Sequence, residues 1–360
     1  MIPRLFEKDA TTFTNYGICP LIDATDCKVT EERNDGFTLS LSYPSQGRWA
    51  TELTVDRIIL ADPCDNASQA EPFRITKIEY DIAGNIEVEA VHISYQLTSM
   101  VVNKTSVNTR YPASFWSKMD TNLISTSNPF TFNTDMTDAS QTVRTFAYDK
   151  PNPFRTLLGG MKGSMLDLYG GEFEWKRWQV NLWKARGADN GVKIAYTKNL
   201  TGLDYSVDIS DVYTGVVAFW ATQNDYAVSD LQTVAHTYSF SRDIVYDASS
   251  EFQSKPTVAQ LNTLAGAKAA SAPTPVVSVN VKFIPLWQTD EYRKYYALEH
   301  VSLCDTVEVL YPPLNMDVRA KVVKTVYDVL ADRYDEITVS TVKKDITDTI
   351  FTLMKEVGDV

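Results

Sequence analysis

Residues 34–44 read NDGFTLSLSYP, and this stretch decides how the chain is read. Phe37, Leu39 and Leu41 alternate with Thr38, Ser40 and Ser42, the period of two that turns one face of a strand to a core and the other to water. Asn34-Asp35-Gly36 supplies a turn in front, and Tyr43-Pro44 stops the strand. The same grammar recurs downstream. Phe73, Ile75 and Ile78 lead to a tight turn at Ala83-Gly84-Asn85, after which Ile86, Val88 and Ala90 alternate with Glu87 and Glu89, so a hairpin is predicted. Short strands parted by turn residues up to about Thr98 point to a small barrel or sandwich.

Between Val101 and Asn199 the texture changes. Ser, Thr and Asn are dense from Thr121 to Gln141, which predicts loops. Ser164 followed by Asp167 reads as an N-cap pair, and Gly170-Gly171 ends a short helix. Phe173 and Trp175, then Trp178, Val180 and Leu182, flank a tight turn at Lys176-Arg177; Asp189-Asn190-Gly191 then turns into Val192, Ile194 and Tyr196. Pro256 to Ala272 is an Ala- and Leu-rich helix closed by Pro273 and Pro275, and Val277, Val279 and Val281 resume a strand. Asp317 to Ser340 fits either period, and its β-branched content favours two strands around Ala331-Asp332-Arg333. Ile346, Ile350, Leu353 and Val357 have the spacing of a short coiled-coil seam. The fold class that follows is α+β, mostly β.

At 360 residues, two to three domains of about 150 residues are expected. The 44% hydrophobic content is that of a folding chain, not a disordered one. With 34 basic and 46 acidic side chains the net charge is −12, which argues against a surface that coats DNA, since clustered Lys and Arg hold phosphates. An acidic wall is instead one along which DNA slides without sticking. The four cysteines, Cys19, Cys27, Cys64 and Cys304, form no CxxC pair, and His92, His236 and His300 lie far apart, so no metal site and no cofactor is expected. The start, MIPRLFEKDATTF, has no apolar core of a signal peptide, and no apolar run approaches the roughly 18 residues of a membrane span.

Chemistry-bearing motifs are few, and no catalytic residue is assigned. Gly159-Gly160-Met161-Lys162-Gly163-Ser164 resembles a phosphate loop, but its lysine precedes the last glycine and no strand enters it. His92 shares a strand face with Ile86 and Val88, the position of a structural histidine. His300 and Cys304 have the spacing of one helical turn, yet Asp305 to Val309 reads as a turn into a strand. The band Trp175, Trp178 and Trp183 has the chemistry to stack on sugar rings or to fill a core. Asn66-Ala67-Ser68, Asn103-Lys104-Thr105 and Asn199-Leu200-Thr201 fit the glycosylation triplet without a secretory context.

The order of phrases along the chain resembles the tail-tip and baseplate hub proteins of bacteriophages, the family often labelled prophage tail endopeptidase or tail-associated protein N-terminal region. The phrases are NDGFTLSLSYP (34–44), PFRITKIE (72–79), GNIEVEAVHISYQL (84–97), LLGGMKGSMLDLYGGEFEWKRWQVNLWKARGADNGVKIAYTKNL (157–200) and LCDTVEV (303–309) ahead of VVKTVYDVLADRYDEI. Two departures touch turns: Cys304 replaces the glycine usual before that aspartate, and a glycine common after the final strand is absent near Ser340.

The resemblance implies two small β-barrel hub domains, residues 1–98 and residues 201–239 with 275–345. A peripheral α+β domain from 99–200 and 240–274 and a C-terminal helical tail at 346–360 complete the expected plan. It implies a non-enzymatic, trimeric ring with DNA passing through it without specific binding. Partners would be the distal tail protein ring, the tail tube or tape-measure protein and receptor-binding components. Such a ring would reside in the virion after assembly in the bacterial cytoplasm. Ile346, Ile350, Leu353 and Val357 are then expected around the trimer axis. The rival classes are a cell-wall hydrolase, as the family label suggests, and a carbohydrate-binding adhesin built on Trp175, Trp178 and Trp183.

Overall fold

A computed structural model describes residues 2–340 apart from 125–126, 141, 196–197, 199, 237, 250, 253, 274–275, 284–286, 288–290, 292–299 and 315. The seam residues Ile346, Ile350, Leu353 and Val357 and the helical tail lie outside the described residues. The chain divides into two units: one runs to Asp204 and resumes at Val279, and the other is Tyr205–Ser278.

The first unit begins with β1 (Arg4–Phe6), β2 (Cys19–Pro20), β3 (Asp26–Glu32), β4 (Phe37–Pro44), β5 (Ile58–Ala61), β6 (Glu71–Tyr80) and β7 (Asn85–His92). In β4 the predicted alternation is exact in its consequence: Phe37, Leu39, Leu41 and Tyr43 are buried and Ser40 faces water. Each such burial stabilises by about 1.5–3 kcal/mol relative to exposure. The turn before it forms as expected, with Asn34 in the left-handed region at φ 60° and the Glu32 N–H donating to Gly36 O. The β6–β7 hairpin also forms. A register shift between Ile75 and Lys77 explains why the apolar run skips a residue there, since a bulge reverses the inward phase.

A peripheral stretch follows: β8 (Val101–Val102), β9 (Thr105–Thr109), α1 (Pro112–Thr121), β10 (Thr131–Thr134), β11 (Arg144–Tyr148), β12 (Asn152–Pro153), α2 (Phe154–Leu158), α3 (Met165–Tyr169), β13 (Glu172–Lys176) and β14 (Gln179–Trp183). α1, in a stretch the sequence reading left unassigned, starts on Pro112 and buries Phe115, Trp116 and Met119, and β10 is a short strand inside the predicted loops. α3 is capped as predicted, with the Asp167 N–H donating to Ser164 Oγ at 3.3 Å. The β13–β14 hairpin turns at Arg177, φ 47°.

β15 (Lys193–Ala195) and β16 (Leu200–Asp208) lead to the second unit, which holds β17 (Gly215–Ala221), β18 (Tyr226–Val228), β19 (Gln232–Thr233), β20 (Asp243–Asp247) and α4 (Val258–Ala270). β17 pairs with β20 on one side and with β18 and β19 on the other. α4 covers one face of that sheet, packing Leu261, Ala265 and Ala269 on Val216, Ala218 and Trp220. Thr257 and Gln260 close a capping box at its start.

β21 (Val276–Phe283), β22 (Thr306–Tyr311), β23 (Met316–Asp328) and β24 (Arg333–Ser340) complete the chain. The ambiguous 317–340 stretch is therefore two strands, reversed at 329–332 with Asp332 at φ 55°. A register shift between Val322 and Lys324 moves the inward phase from Ala320 and Val322 to Thr325 and Tyr327, which is why neither simple period fitted the sequence. In the main sheet β24, β23, β3, β4, β7, β6, β5, β1 and β2 follow one another, with β22 on β23 and β15 on β22. The antiparallel β3–β23 pair, Asp328↔Lys28 to Lys324↔Glu32, joins strands from the two ends of the chain. The α+β, mostly β class is what the structure shows.

Candidate functional site

Arg33, just past β3, and Asn34 in the following turn are where the peripheral stretch is fastened to the main sheet. Asn34 Nδ2 donates to Gly171 O at 3.0 Å, and its Oδ1 accepts from the Phe173 N–H at 2.7 Å. Its left-handed backbone aims the side chain at the incoming strand β13. Beside it Arg33 Nε lies 3.0 Å from Glu172 Oε1, a buried charge contact. Lys321 Nζ reaches the same oxygen at 2.7 Å, the Arg186 N–H donates to Glu172 Oε2, and Arg186 pairs with Glu31 at 3.0 Å. Burial opposes the charge of Arg186, but Glu31 and the other anions around it outweigh that and hold its guanidinium protonated. Five charges from β3, β13, β23 and the turn after β14 thus meet in one network.

Next to the network is a cavity of about 410 Å³ lined by Glu31, Glu71, Glu174, Arg186, Asp305 and Trp175 among others. Its carboxylates are already engaged. Glu71 accepts from Gln69, His92 and the Arg177 N–H; Glu174 accepts from Trp183, Asn181 and Lys176; Asp305 accepts from the Ala188 and Ser302 N–H groups. Burial pushes Glu174 up, but its hydrogen bonds from Lys176 and Trp183 prevail and hold it below the ordinary carboxylate range.

Ser94, His92 and Glu71 form a chain that imitates a catalytic triad. His92 Nδ1 is 2.9 Å from Ser94 Oγ and its Nε2 is 3.3 Å from Glu71 Oε2. The order of ring nitrogens is the reverse of the one that activates a serine, Ser94 and His92 are fully buried, and Ser94 Oγ also accepts from Arg155 at 3.1 Å. This is the structural histidine that the strand pattern indicated. It lies on the face of Ile86 and Val88, stacked 4.6 Å from the Phe37 ring.

The other flagged residues fall in ordinary places. Gly163 N–H donates to Asp167 Oδ2 at 2.6 Å, so a carboxylate occupies the loop where a phosphate would sit. His300 Nε2 bonds Asp65 Oδ1 at 2.8 Å, and Cys304 lies at φ 72° in the turn into β22. Burial pushes the Cys304 thiol up to about 12, and Cys64 likewise to about 12, far from a nucleophile's range. Trp175, Trp178 and Trp183 all lie on the β13–β14 hairpin but do not share a face: Trp175 stands opposite Val180, Trp178 sits in the turn, and Trp183 stands opposite Glu172 on the other side. Trp175 is 4% exposed, stacked 5.1 Å from Phe173 with the Arg155 guanidinium 4.7 Å from its ring. Trp178 and Trp183 are half-buried, their indole N–H groups donated to Thr11 O and Glu174 Oε2.

Three crystal structures of tail proteins share this fold. The prophage tail protein gp18 from Listeria monocytogenes EGD-e is 14% identical with a TM-score of 0.58, each chain covered over 100% of its length. The 43 kDa tail protein of prophage MuSo2 from Shewanella oneidensis is 9% identical with a TM-score of 0.57, covering 89% of this chain and 94% of that one. The tail protein from Neisseria meningitidis MC58 is 9% identical with a TM-score of 0.57, covering 96% of this chain and 98% of that one. Residues 188–350 match the family model described as prophage endopeptidase tail. The resemblance to phage tail-tip proteins read from the sequence is borne out by this match and this fold. No curated protein matches the chain.

Proposed function

We propose that the chain is a structural hub of a phage-like tail tip or baseplate, three copies closing a ring around a passage for DNA. The observation that carries this reading is the curled sheet in which strands from both ends of the chain meet at β3 and β23, in a fold shared with phage tail proteins over nearly all of its length. Two β modules per chain let three copies offer six similar faces to a six-part tail ring.

The ring joins the distal tail protein ring and the tail tube or tape-measure protein to receptor-binding components, and it resides in the virion after assembly in the bacterial cytoplasm. Three copies carry three times −12 charges, and a lumen of that sign lets phosphates pass. Sedimentation equilibrium of the purified chain tests the stoichiometry: a species of about three times 40.4 kDa supports the ring, and a 40.4 kDa species at every concentration contradicts it.

The family description, which names an endopeptidase, favours a second reading as a cell-wall hydrolase. Release of soluble peptides from peptidoglycan by the purified chain decides for that reading, and inertness at high protein concentration decides for the scaffold. An adhesin built on Trp175, Trp178 and Trp183 predicts cell-wall polysaccharide binding that Trp178→Ala abolishes.

A further inference from the structure

Among the described residues, the Tyr205–Ser278 unit has a helix on one face of its sheet only. On the opposite face the register sets Val217 beside Val245, Phe219 beside Val228 and Ala221 beside Tyr226, with the Phe219 and Tyr226 rings stacked at 6.4 Å. Val245 is 72% exposed, Tyr226 57% and Val228 37%. A contiguous apolar sheet face left bare is a docking surface or an aggregation hazard. Along β20 the same face shows Asp243 and Asp247 on either side of Val245, both exposed. Residues 205–278 hold seven carboxylates against three cations. Those cations are occupied: Lys255 pairs with Asp225, Lys268 lies over the Tyr246 ring, and Arg242 donates to Ile209 O.

The acidic border excludes two occupants. Two copies of this face meeting each other would set carboxylates against carboxylates, and an anionic lipid surface would be repelled. It calls for a surface edged with cations, and the chain carries one. Residues 99–170 hold seven cations against five carboxylates within a chain of net charge −12. Five of those cations, Lys104, Lys118, Arg144, Lys150 and Lys162, are exposed, and none forms an ion pair among the described residues.

Four of them gather around the β9–β11 ribbon. Lys104 and Lys150 flank the end where Thr105 pairs with Tyr148, and Arg144 stands opposite Thr109 at the other end. Lys162 precedes Gly163, which lies against the Phe146 ring in the middle of β11. Val143, 44% exposed, adds an apolar contact beside Arg144.

We propose that the bare sheet face of one copy docks on the β9–β11 ribbon of a neighbouring copy, Val245 and Tyr226 supplying the apolar contact and Asp243 and Asp247 facing the ribbon's cations. The inference rests on the ring reading above and names one of its contacts. Because the two surfaces differ, the contact is head-to-tail, the kind that closes into a ring when the rotation between copies permits.

Light scattering on the full chain tests it. Val245→Asp with Tyr226→Asp is expected to weaken assembly at least tenfold, and Asp243→Lys with Asp247→Lys to do the same while keeping the apolar face. Adding Lys104→Glu and Lys150→Glu to the second variant is expected to restore assembly, which no folding defect imitates. If the wild type and both variants assemble alike, the contact lies elsewhere and the inference is overturned while the ring stands. If the charge reversal weakens assembly and the ribbon changes fail to restore it, the ribbon is not the receiving surface and the inference is overturned as well. A wild type that is monomeric at all concentrations overturns the ring and the inference together.

Discussion

Arg33 and Glu172 stand 3.0 Å apart with 5% and 6% of their side chains exposed, one just past β3 and the other opening β13. Both charges are out of water, so the pair survives only because Lys321, the Arg186 N–H and Glu31 complete the network around it. Removing one member leaves an uncompensated buried charge. Arg33→Ala is expected to cost about 3–5 kcal/mol in urea unfolding, and Lys77→Ala, which breaks the exposed Lys77–Glu79 pair, far less. A loss below 1 kcal/mol for Arg33→Ala would show that the peripheral stretch is held by something else.

Cys304 occupies a left-handed position, φ 72°, in the turn into β22. The left-handed conformation costs an L residue roughly 1–2 kcal/mol, which glycine does not incur. Cys304→Gly and Cys304→Ala both lose the buried thiol, so their difference isolates the backbone. Glycine should be the more stable of the two by about 1 kcal/mol, the reverse of the usual order, as read by thermal melts. Equal stability, or alanine ahead, contradicts the geometry.

α4 depends on its capping box, in which the Gln260 N–H donates to Thr257 Oγ1 at 3.3 Å and the Thr257 N–H donates to Gln260 Oε1 at 2.9 Å. Thr257→Ala is expected to lower the stability of the Tyr205–Ser278 unit by about 1 kcal/mol, while Thr257→Ser stays near the wild type. Amide exchange in α4 reads the change locally.

Glu174 is held below the ordinary carboxylate range, so its folded form keeps the proton off more strongly than the unfolded chain does. The stability this contributes is fully present above the unfolded value of about 4.3 and is lost as pH falls through the lower, folded value. Glu174→Gln should therefore flatten the acid limb of the stability profile below about pH 4 and leave its slope near neutrality unchanged. An unaltered acid limb counts against the bonds from Lys176 and Trp183 as its source.

The strands were legible wherever one face is buried: Phe37, Leu39 and Leu41, or Ile86, Val88 and Ala90, carry their period in the letters themselves. α4 was legible through its Ala and Leu content and the prolines after it, while its capping box was not read from the sequence. What escaped the sequence was non-local. The bulges near Ile75 and Val322 shift phase in response to a partner strand, and the parallel pairings β10–β14 and β15–β22 join stretches with no local turn between them. The junction was hidden for the same reason. Asn34 announced a turn, but its bonds to Gly171 and Phe173 span 137 and 139 residues, and nothing near Glu172 distinguishes it from the other 45 carboxylates.

The central claim, a ring of three copies with paired β modules, is tested most directly by negative-stain electron microscopy of the purified chain. Class averages are predicted to show an annulus with threefold symmetry, a stained centre and six peripheral lobes. Single particles of one chain's mass without an open centre would contradict it.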